Sequence, residues 1–171
     1  MAERPPEDPR TLVGRLYDTH GASLYRYAVM LLADAGAAED VVQQVFAALL
    51  RNGRAIRLDD ASHYLRRAVR NECYSLLRRR RSHGGEESGA PLLDEVATDA
   101  RTGASVDERI ALERGLRALS AEQREVVHLH VFDGMTFQEI ADASRESINT
   151  VASRYRYALA RLRELLKGRH G

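Results

Sequence analysis

The chain has 171 residues, a formal net charge of +1, 44% hydrophobic and 30% charged residues and one cysteine. That length suits one medium or two small domains, and no apolar run approaches the length that spans a bilayer. A lone cysteine excludes an internal disulfide framework and a thiolate-rich zinc site. The opening "MAERPPEDPR" carries acids and prolines but no apolar signal core, so residues 1–10 read as a disordered lead-in and the expected location is cytoplasmic. Lys167 is the sole lysine and every other cationic side chain is arginine. The planar guanidinium fork suits phosphate and base edges, although GC-rich coding produces the same bias.

Three helices are predicted in the first block. From Thr11 to about Ala33, Leu12, Leu16, Leu24, Tyr27, Leu31 and Leu32 fall broadly on one side, with "THGAS" as a candidate interruption. The second runs from about Ala37 to Arg51, with Ala38, Val41, Val42, Val45, Phe46 and Leu49 apolar. Its polar side holds Glu39, Asp40, Gln43 and Gln44, either a protein-binding face or acids favoured by the helix dipole. The third, about Ala61 to Arg80, has a stripe of Leu65, Val69, Cys73 and Leu76. On another face lie Arg67, Arg70, Asn71, Tyr74 and Arg78, continued by "RRRR" at 78–81. An aromatic ring among arginines suits single-stranded nucleic acid, with bases stacked on the ring and guanidinium groups along the phosphates. A solvated, charged helix end is the alternative.

Between Ser82 and Asp107 the composition shifts to Gly, Ser, Ala and acids. Residues 82–105 read as a flexible linker between two folded pieces, with "PLLDEV" as one candidate helical turn. Beyond it, about Glu108 to Ala118 is a helix. "LSAEQREVVHLHVF" opens on a capping box of Ser120 and Gln123, and Asp133-Gly134 stops that helix. Thr136 and Glu139 cap the next helix, and the last runs from after Ser147 to about Lys167.

The final two helices and their short polar turn have the layout of a helix-turn-helix. Ile148, Val151, Tyr155, Leu159, Leu162 and Leu166 form the expected buried stripe. Opposite lie Asn149, Ala152, Ser153 and Arg156, flanked by Thr150, Arg154 and Tyr157. Short polar side chains at a helix start can meet phosphate, and Arg and Ser further along can reach base edges. Catalytic and metal chemistry are not indicated. His128 and His130 are two apart on a helix and face different sides. There is no phosphate-cradling Gly-rich loop and no nucleophile elbow. Cys73 lies on an apolar stripe, where a free cysteine behaves as a small hydrophobe. No cofactor and no enzyme activity is expected.

These residues, in this order, resemble the extracytoplasmic-function sigma factors of bacterial RNA polymerase over about residues 11–81 and 106–166. "LYRYAVMLLADAGAAEDVVQQVF" is similar to the family's regions 2.1 and 2.2, with "AEDVVQ" at its Ala-Glu-Asp-Leu-Val-Gln signature. "YLRRAVRNECYSLLRRRR" is similar to regions 2.3 and 2.4, and residues 112–166 to region 4. The resemblance implies an all-α fold: a three-helix region 2 domain over 11–81 and a region 4 helix-turn-helix domain over 106–171. It implies a factor that brings core RNA polymerase to promoters and helps open them. Glu39, Asp40, Gln43 and Gln44 would dock on the clamp helices of the largest subunit, and region 4 on the flap of the second.

The loop "RNGRAIRLDDAS" would hold a pocket for a flipped-out −10 base, with Arg67, Arg70, Asn71, Tyr74 and Arg78 beside the melted strand. Ser153, Arg156 and Tyr157 would face −35 bases, and His130, Phe137, Asn149, Thr150 and Arg154 would contact the backbone. The linker would thread toward the polymerase active-site cleft, and an anti-sigma protein is a further partner of this family's kind. The chain departs from the family where Ser144, Arg145 and Glu146 replace Leu or Thr, Gly and an apolar residue. An Arg at a left-handed turn position costs on the order of 1 kcal/mol, which leaves open whether the turn keeps standard helix-turn-helix geometry or is reshaped. Ala152 stands where a basic residue is common, and Tyr64 where Trp is frequent. Two other readings fit parts of the chain: a dimeric operator-binding regulator, and a sigma-like adaptor that docks on protein.

Overall fold

The computed structural model describes residues 8–52, 61–83 and 106–167. The lead-in through residue 7, residues 53–60 of the expected base-pocket loop at 51–62 and residues 84–105 of the expected linker at 82–105, with "PLLDEV", lie outside them, while the ends of that loop and the first two linker positions are helical. Among the described residues every regular element is helical. They are α1 (Pro9–Leu32), α2 (Ala35–Asn52), α3 (Ala61–His83), α4 (Val106–Arg117), α5 (Ala121–Val127), α6 (Phe137–Ser144) and α7 (Ile148–Lys167). A π-helical turn, His128–Phe132, extends α5. The chain divides into two compact units, Met1–Ala28 with Gly36–Glu86 and Val29–Ala35 with Glu87–Gly171.

In the first unit, α1 begins two residues ahead of the expected Thr11. Proline suits a first helical position, because its missing N–H has no intrahelical acceptor there, and the Asp8 carbonyl accepts from Leu12 N at 3.0 Å. The helix also runs through "THGAS" without a break. A Cβ at Gly21 would sit 3.5 Å from the Tyr17 ring, an ordinary packing distance. Val13, Leu16, Leu24 and Tyr27 of α1 are buried, as are Ala38, Val41, Val42, Phe46 and Leu49 of α2. Tyr17 meets Phe46 edge-on with ring centroids 5.1 Å apart. On α3, Leu65, Val69 and Cys73 are fully buried, while Leu76 is only half-buried. The Leu76 position lies one turn beyond the last fully covered residue of that stripe.

In the second unit, α7 packs against α4, α5 and α6. Gly115 lets α4 approach closely, since a Cβ there would come within 2.6 Å of Leu162 Cδ2. The buried stripe of α7 is narrower than its sequence suggests. Val151, Ala158 and Leu162 are buried, Tyr155 and Leu159 half-buried, and Ile148 and Leu166 exposed. Both exposed residues lie at the helix ends, outside the stretch that the other helices cover.

The polar centre of this unit is Arg124, only 2% exposed. Its Nε donates to the Met30 carbonyl at 2.8 Å, Nη2 to Leu31 at 2.9 Å and Nη1 to Leu119 at 2.7 Å. Arg117 donates to the Ala33 carbonyl at 3.2 Å. The Met30 and Leu31 carbonyls end α1 and that of Ala33 follows directly, where a helix end carries partial negative charge and has no intrahelical donors left. Two guanidinium groups supply those donors. Ala33 itself is left-handed, with φ 51°.

Candidate nucleic-acid interface

Both capping boxes predicted from sequence form. Ser120 Oγ accepts from Gln123 N at 3.2 Å, and Gln123 Oε1 accepts from Ser120 N at 3.0 Å. At α6, Thr136 Oγ1 accepts from Glu139 N at 3.2 Å while Glu139 Oε2 accepts from Thr136 N at 2.7 Å. Donation from the Thr136 backbone N–H, then from its hydroxyl, holds the Glu139 carboxyl below the usual carboxylate range. Between the two boxes, the π-helical turn and Gly134, at φ 67°, reverse the chain into α6.

An aromatic cluster fixes the start of α6 against α7. The His130, Phe137 and Tyr155 rings lie 4.6, 4.9 and 5.3 Å apart, centroid to centroid. His130 Nδ1 is 2.7 Å from the Met135 carbonyl, so that nitrogen carries the proton and donates. His130 and Phe137, expected at the DNA backbone, are therefore also packing residues. His128 is buried, stacks on Phe132 and has Nε2 3.7 Å from Asp133 Oδ1.

The turn between α6 and α7 keeps a left-handed residue without glycine. Arg145 caps α6 at φ 59°, ψ 40°, and Glu146 N donates to the Ala141 carbonyl at 3.0 Å. That bond is the six-residue closure typical of a glycine-capped helix end. The turn keeps its left-handed closure, and Arg145 takes the strained conformation. Ser144 Oγ donates to the Ile140 carbonyl at 2.8 Å, and Ser147 Oγ accepts from Thr150 N at 3.1 Å at the start of α7. Glu146 also pairs with Arg154 through both oxygens, with Arg154 Nη1 on Oε2 and Nη2 on Oε1 at 2.9 Å. Sequence reading missed this pair; opposite charges eight residues apart across a turn are no local signal.

From this turn α7 presents Asn149, Ser153, Arg156 and Tyr157. Residues at spacings of three and four share a helix face. Asn149, Arg156 and Tyr157 are exposed and Ser153 is half-buried. Arg156 Nη2 lies 3.4 Å from Ser153 Oγ, and its guanidinium stands 5.9 Å from the Tyr157 ring centroid. Thr150 shares the Ser147 cap through a 2.8 Å hydroxyl contact. The residues expected to face bases are thus brought together.

The first unit carries the other expected surfaces. On α3, Arg67, Asn71 and Arg78 are exposed, and the Arg70 guanidinium stands over the Tyr74 ring, 4.7 Å from its centroid. Glu72 pairs with Arg79 at 3.2 Å, a partial neutralisation of the basic run that sequence reading passed over. On α2, Glu39, Asp40, Gln43 and Gln44 are all exposed, and Gln43 Nε2 donates to Glu39 Oε1 at 3.1 Å. Tyr64 is 40% exposed and lines a hollow with Gln44, Ala48, Leu49 and Ala68. Among the described residues no cluster of three or more His, Cys, Asp or Glu is placed to hold a metal ion, and no helix is long and apolar enough to cross a membrane.

Comparison with known proteins agrees with this arrangement. Residues 16–83 match the Sigma-70 region 2 family and residues 109–162 the Sigma-70, region 4 family. The chain is 33% identical over 162 residues to the ECF RNA polymerase sigma factor SigL of Mycobacterium tuberculosis strain H37Rv, covering 91% of this chain and 89% of that protein. It is 33% identical over 153 residues to SigM of the same strain, covering 89% and 76% respectively. A solved structure of the sigma factor RpoE in complex with the anti-sigma factor NepR from Bartonella quintana superimposes with a TM-score of 0.67 at 27% identity. The match covers 92% of this chain and 96% of that one. With a helix-turn-helix at one end, an Arg-Tyr helix at the other and relatives that match along most of its length, the chain belongs to the ECF RNA polymerase sigma factor family.

Proposed function

We propose that the chain binds core RNA polymerase through the α2 face of Glu39, Asp40, Gln43 and Gln44, and directs it to promoters by reading DNA at two places. The observation that carries this reading is the α7 face of exposed Asn149, Arg156 and Tyr157 with half-buried Ser153 among them, set directly behind a doubly capped turn. In a major groove, Arg156 can give a guanine two parallel hydrogen bonds, which favours the right base by about 1–3 kcal/mol. Ser153 and Tyr157 flank it, while Asn149, Thr150, Arg154, His130 and Phe137 set the register on the −35 backbone. On α3, Tyr74 is a stacking platform for a −10 base exposed by melting, and Arg67, Arg70, Asn71 and Arg78 follow the strand's phosphates.

The domain limits proposed are 11–81 and 106–171, joined by 82–105. The flap of the polymerase second subunit and an anti-sigma protein complete the partners. The relative SigL carries the words RNA polymerase in its name, and the matched RpoE structure holds an anti-sigma factor. Sigma factors are non-enzymatic, so each of these steps is binding and strand capture. The site of action is the cytoplasm.

The test is run-off transcription on genomic fragments with purified core polymerase, with and without the chain. Discrete transcripts that need the chain, and that are lost in an Arg156→Ala, Tyr157→Ala double variant, support the reading. Transcripts unaffected by that variant favour an adaptor that docks on protein instead. A tight palindromic complex of the isolated protein favours an operator-binding dimer. Without polymerase, about six phosphate contacts predict a log-log salt slope of roughly −5 and weak binding.

A further inference from the structure

We propose that Glu146 is a positioning residue that limits how far Arg154 adds to DNA affinity, and so keeps α7 selective for sequence. The proposal rests on the reading of α7 as the −35 reader. Glu146 precedes Ser147, the cap of α7, and holds the Arg154 guanidinium through both carboxylate oxygens. The two side chains are only 27% and 26% exposed, so water screens the pair less than an open surface pair. The start of a helix is a ready anion site, because its free N–H groups and dipole favour negative charge. Here that end already has a fixed carboxylate beside it.

Two consequences follow for a DNA phosphate that approaches α7. It meets a negative charge next to the helix start, and it must compete with Glu146 for the Arg154 fork. Contact with phosphate carries no sequence information, whereas Arg156 and its neighbours read base edges. Restraint on Arg154 therefore lowers sequence-independent binding and leaves the base-reading share of affinity larger. The carboxylate sets the charge at the reading end of the helix, while the turn itself is closed by the Glu146 N–H on the Ala141 carbonyl.

The experiment uses holoenzyme assembled from core polymerase and the full chain, with binding to a promoter duplex and to a scrambled duplex measured over graded KCl. Glu146→Gln releases Arg154 and removes a negative charge. It is expected to bind the scrambled duplex about tenfold more tightly at low salt, with a log-log slope steeper by about 0.9, the increment for one added phosphate contact. Glu146→Gln combined with Arg154→Gln is expected to return the slope to the wild-type value. Thermal melts confirm that each variant is folded. Arg154→Gln alone, which leaves Glu146 uncovered at the helix start, is expected to weaken scrambled-duplex binding more than promoter binding, unlike an equal loss on both, and serves if Glu146→Gln does not fold.

A pair that merely stiffens the turn would lower binding to both duplexes on substitution and leave the slope unsteepened. That outcome overturns the proposal, and an Arg156→Ala control that loses promoter preference shows the −35 reading intact. If Arg156→Ala keeps full preference, the −35 reading fails and takes this proposal with it.

Discussion

Arginine has opposite roles on the two sides of the second unit. Arg124 is 2% exposed, and its three nitrogens donate to backbone carbonyls within 2.9 Å. Arg156 is exposed and makes only a 3.4 Å contact to Ser153 on its own helix, with the Tyr157 ring beside it. A count of cations along the chain cannot separate these two. What separates them is whether the donors are used inside the protein or still available to a ligand. The first kind contributes to stability, and the second is the kind proposed above to serve recognition.

Removal of each kind should move a different observable. The largest stability effect is expected for Arg124→Ala, which leaves several buried carbonyls without donors at about 1–3 kcal/mol each. A loss of about 3 kcal/mol or more in unfolding free energy, measured by denaturant melts, is expected. Arg124→Lys should recover only part of it, because an ammonium lacks the planar fork. Arg156→Ala should change the same melts by less than about 0.5 kcal/mol, as surface substitutions do, yet reduce discrimination at one promoter position by about 10- to 100-fold. If Arg156→Ala proves as destabilising as Arg124→Ala, the contrast collapses.

The turns flanking α6 sharpen the same comparison on the exposed side. Gly134 and Arg145 both have left-handed backbones, at φ 67° and 59°. A Cβ at Gly134 meets nothing within 4 Å, so Gly134→Ala should cost about 1 kcal/mol through backbone strain alone. Arg145→Gly relieves that strain and gives back part of the gain as unfolded-chain entropy, for a net rise of about 0.5 kcal/mol in the same melts.

The smallest effect concerns Glu139. Its carboxyl is held below the usual carboxylate range in the folded state, so its contribution is present at neutral pH and is lost as pH falls through the lowered folded value. Glu139→Gln should flatten the acid side of the stability curve, in the window that opens at the ordinary glutamate range and extends below it, and leave the neutral side in place. A curve unchanged in that window contradicts the cap's ionic part.

Local patterns account for what was legible in the chain. Both capping boxes join residues three apart, and the apolar stripes repeat at three and four, so the helices and the helix-turn-helix layout follow from short windows. The polar face of α7 with Asn149, Ser153 and Arg156 was legible for the same reason, whereas the assignment of Ser153, Arg156 and Tyr157 to bases is what the family resemblance implies. Arg124 was not, because its acceptors at Met30 and Leu31 lie more than 90 residues away, and its own neighbours read as an ordinary polar helix. The Glu146 and Arg154 pair spans a turn whose closure depends on Arg145 adopting a conformation that its side chain disfavours. The π-helical turn at His128–Phe132 adds a register change that an assumed period of 3.6 cannot show. Ile148 and Leu166 fit the stripe by periodicity, but burial also needs a partner, and partners end before the helix does.

The central claim is that α7 reads promoter bases through Arg156 and its neighbours. The most direct measurement is transcription by the holoenzyme from a promoter carrying every single-base change across its −35 element, for wild type and Arg156→Ala. Discrimination should relax at one or two adjacent base pairs in the variant and stay intact elsewhere. Equal loss at all positions, or no change at any, would contradict the claim.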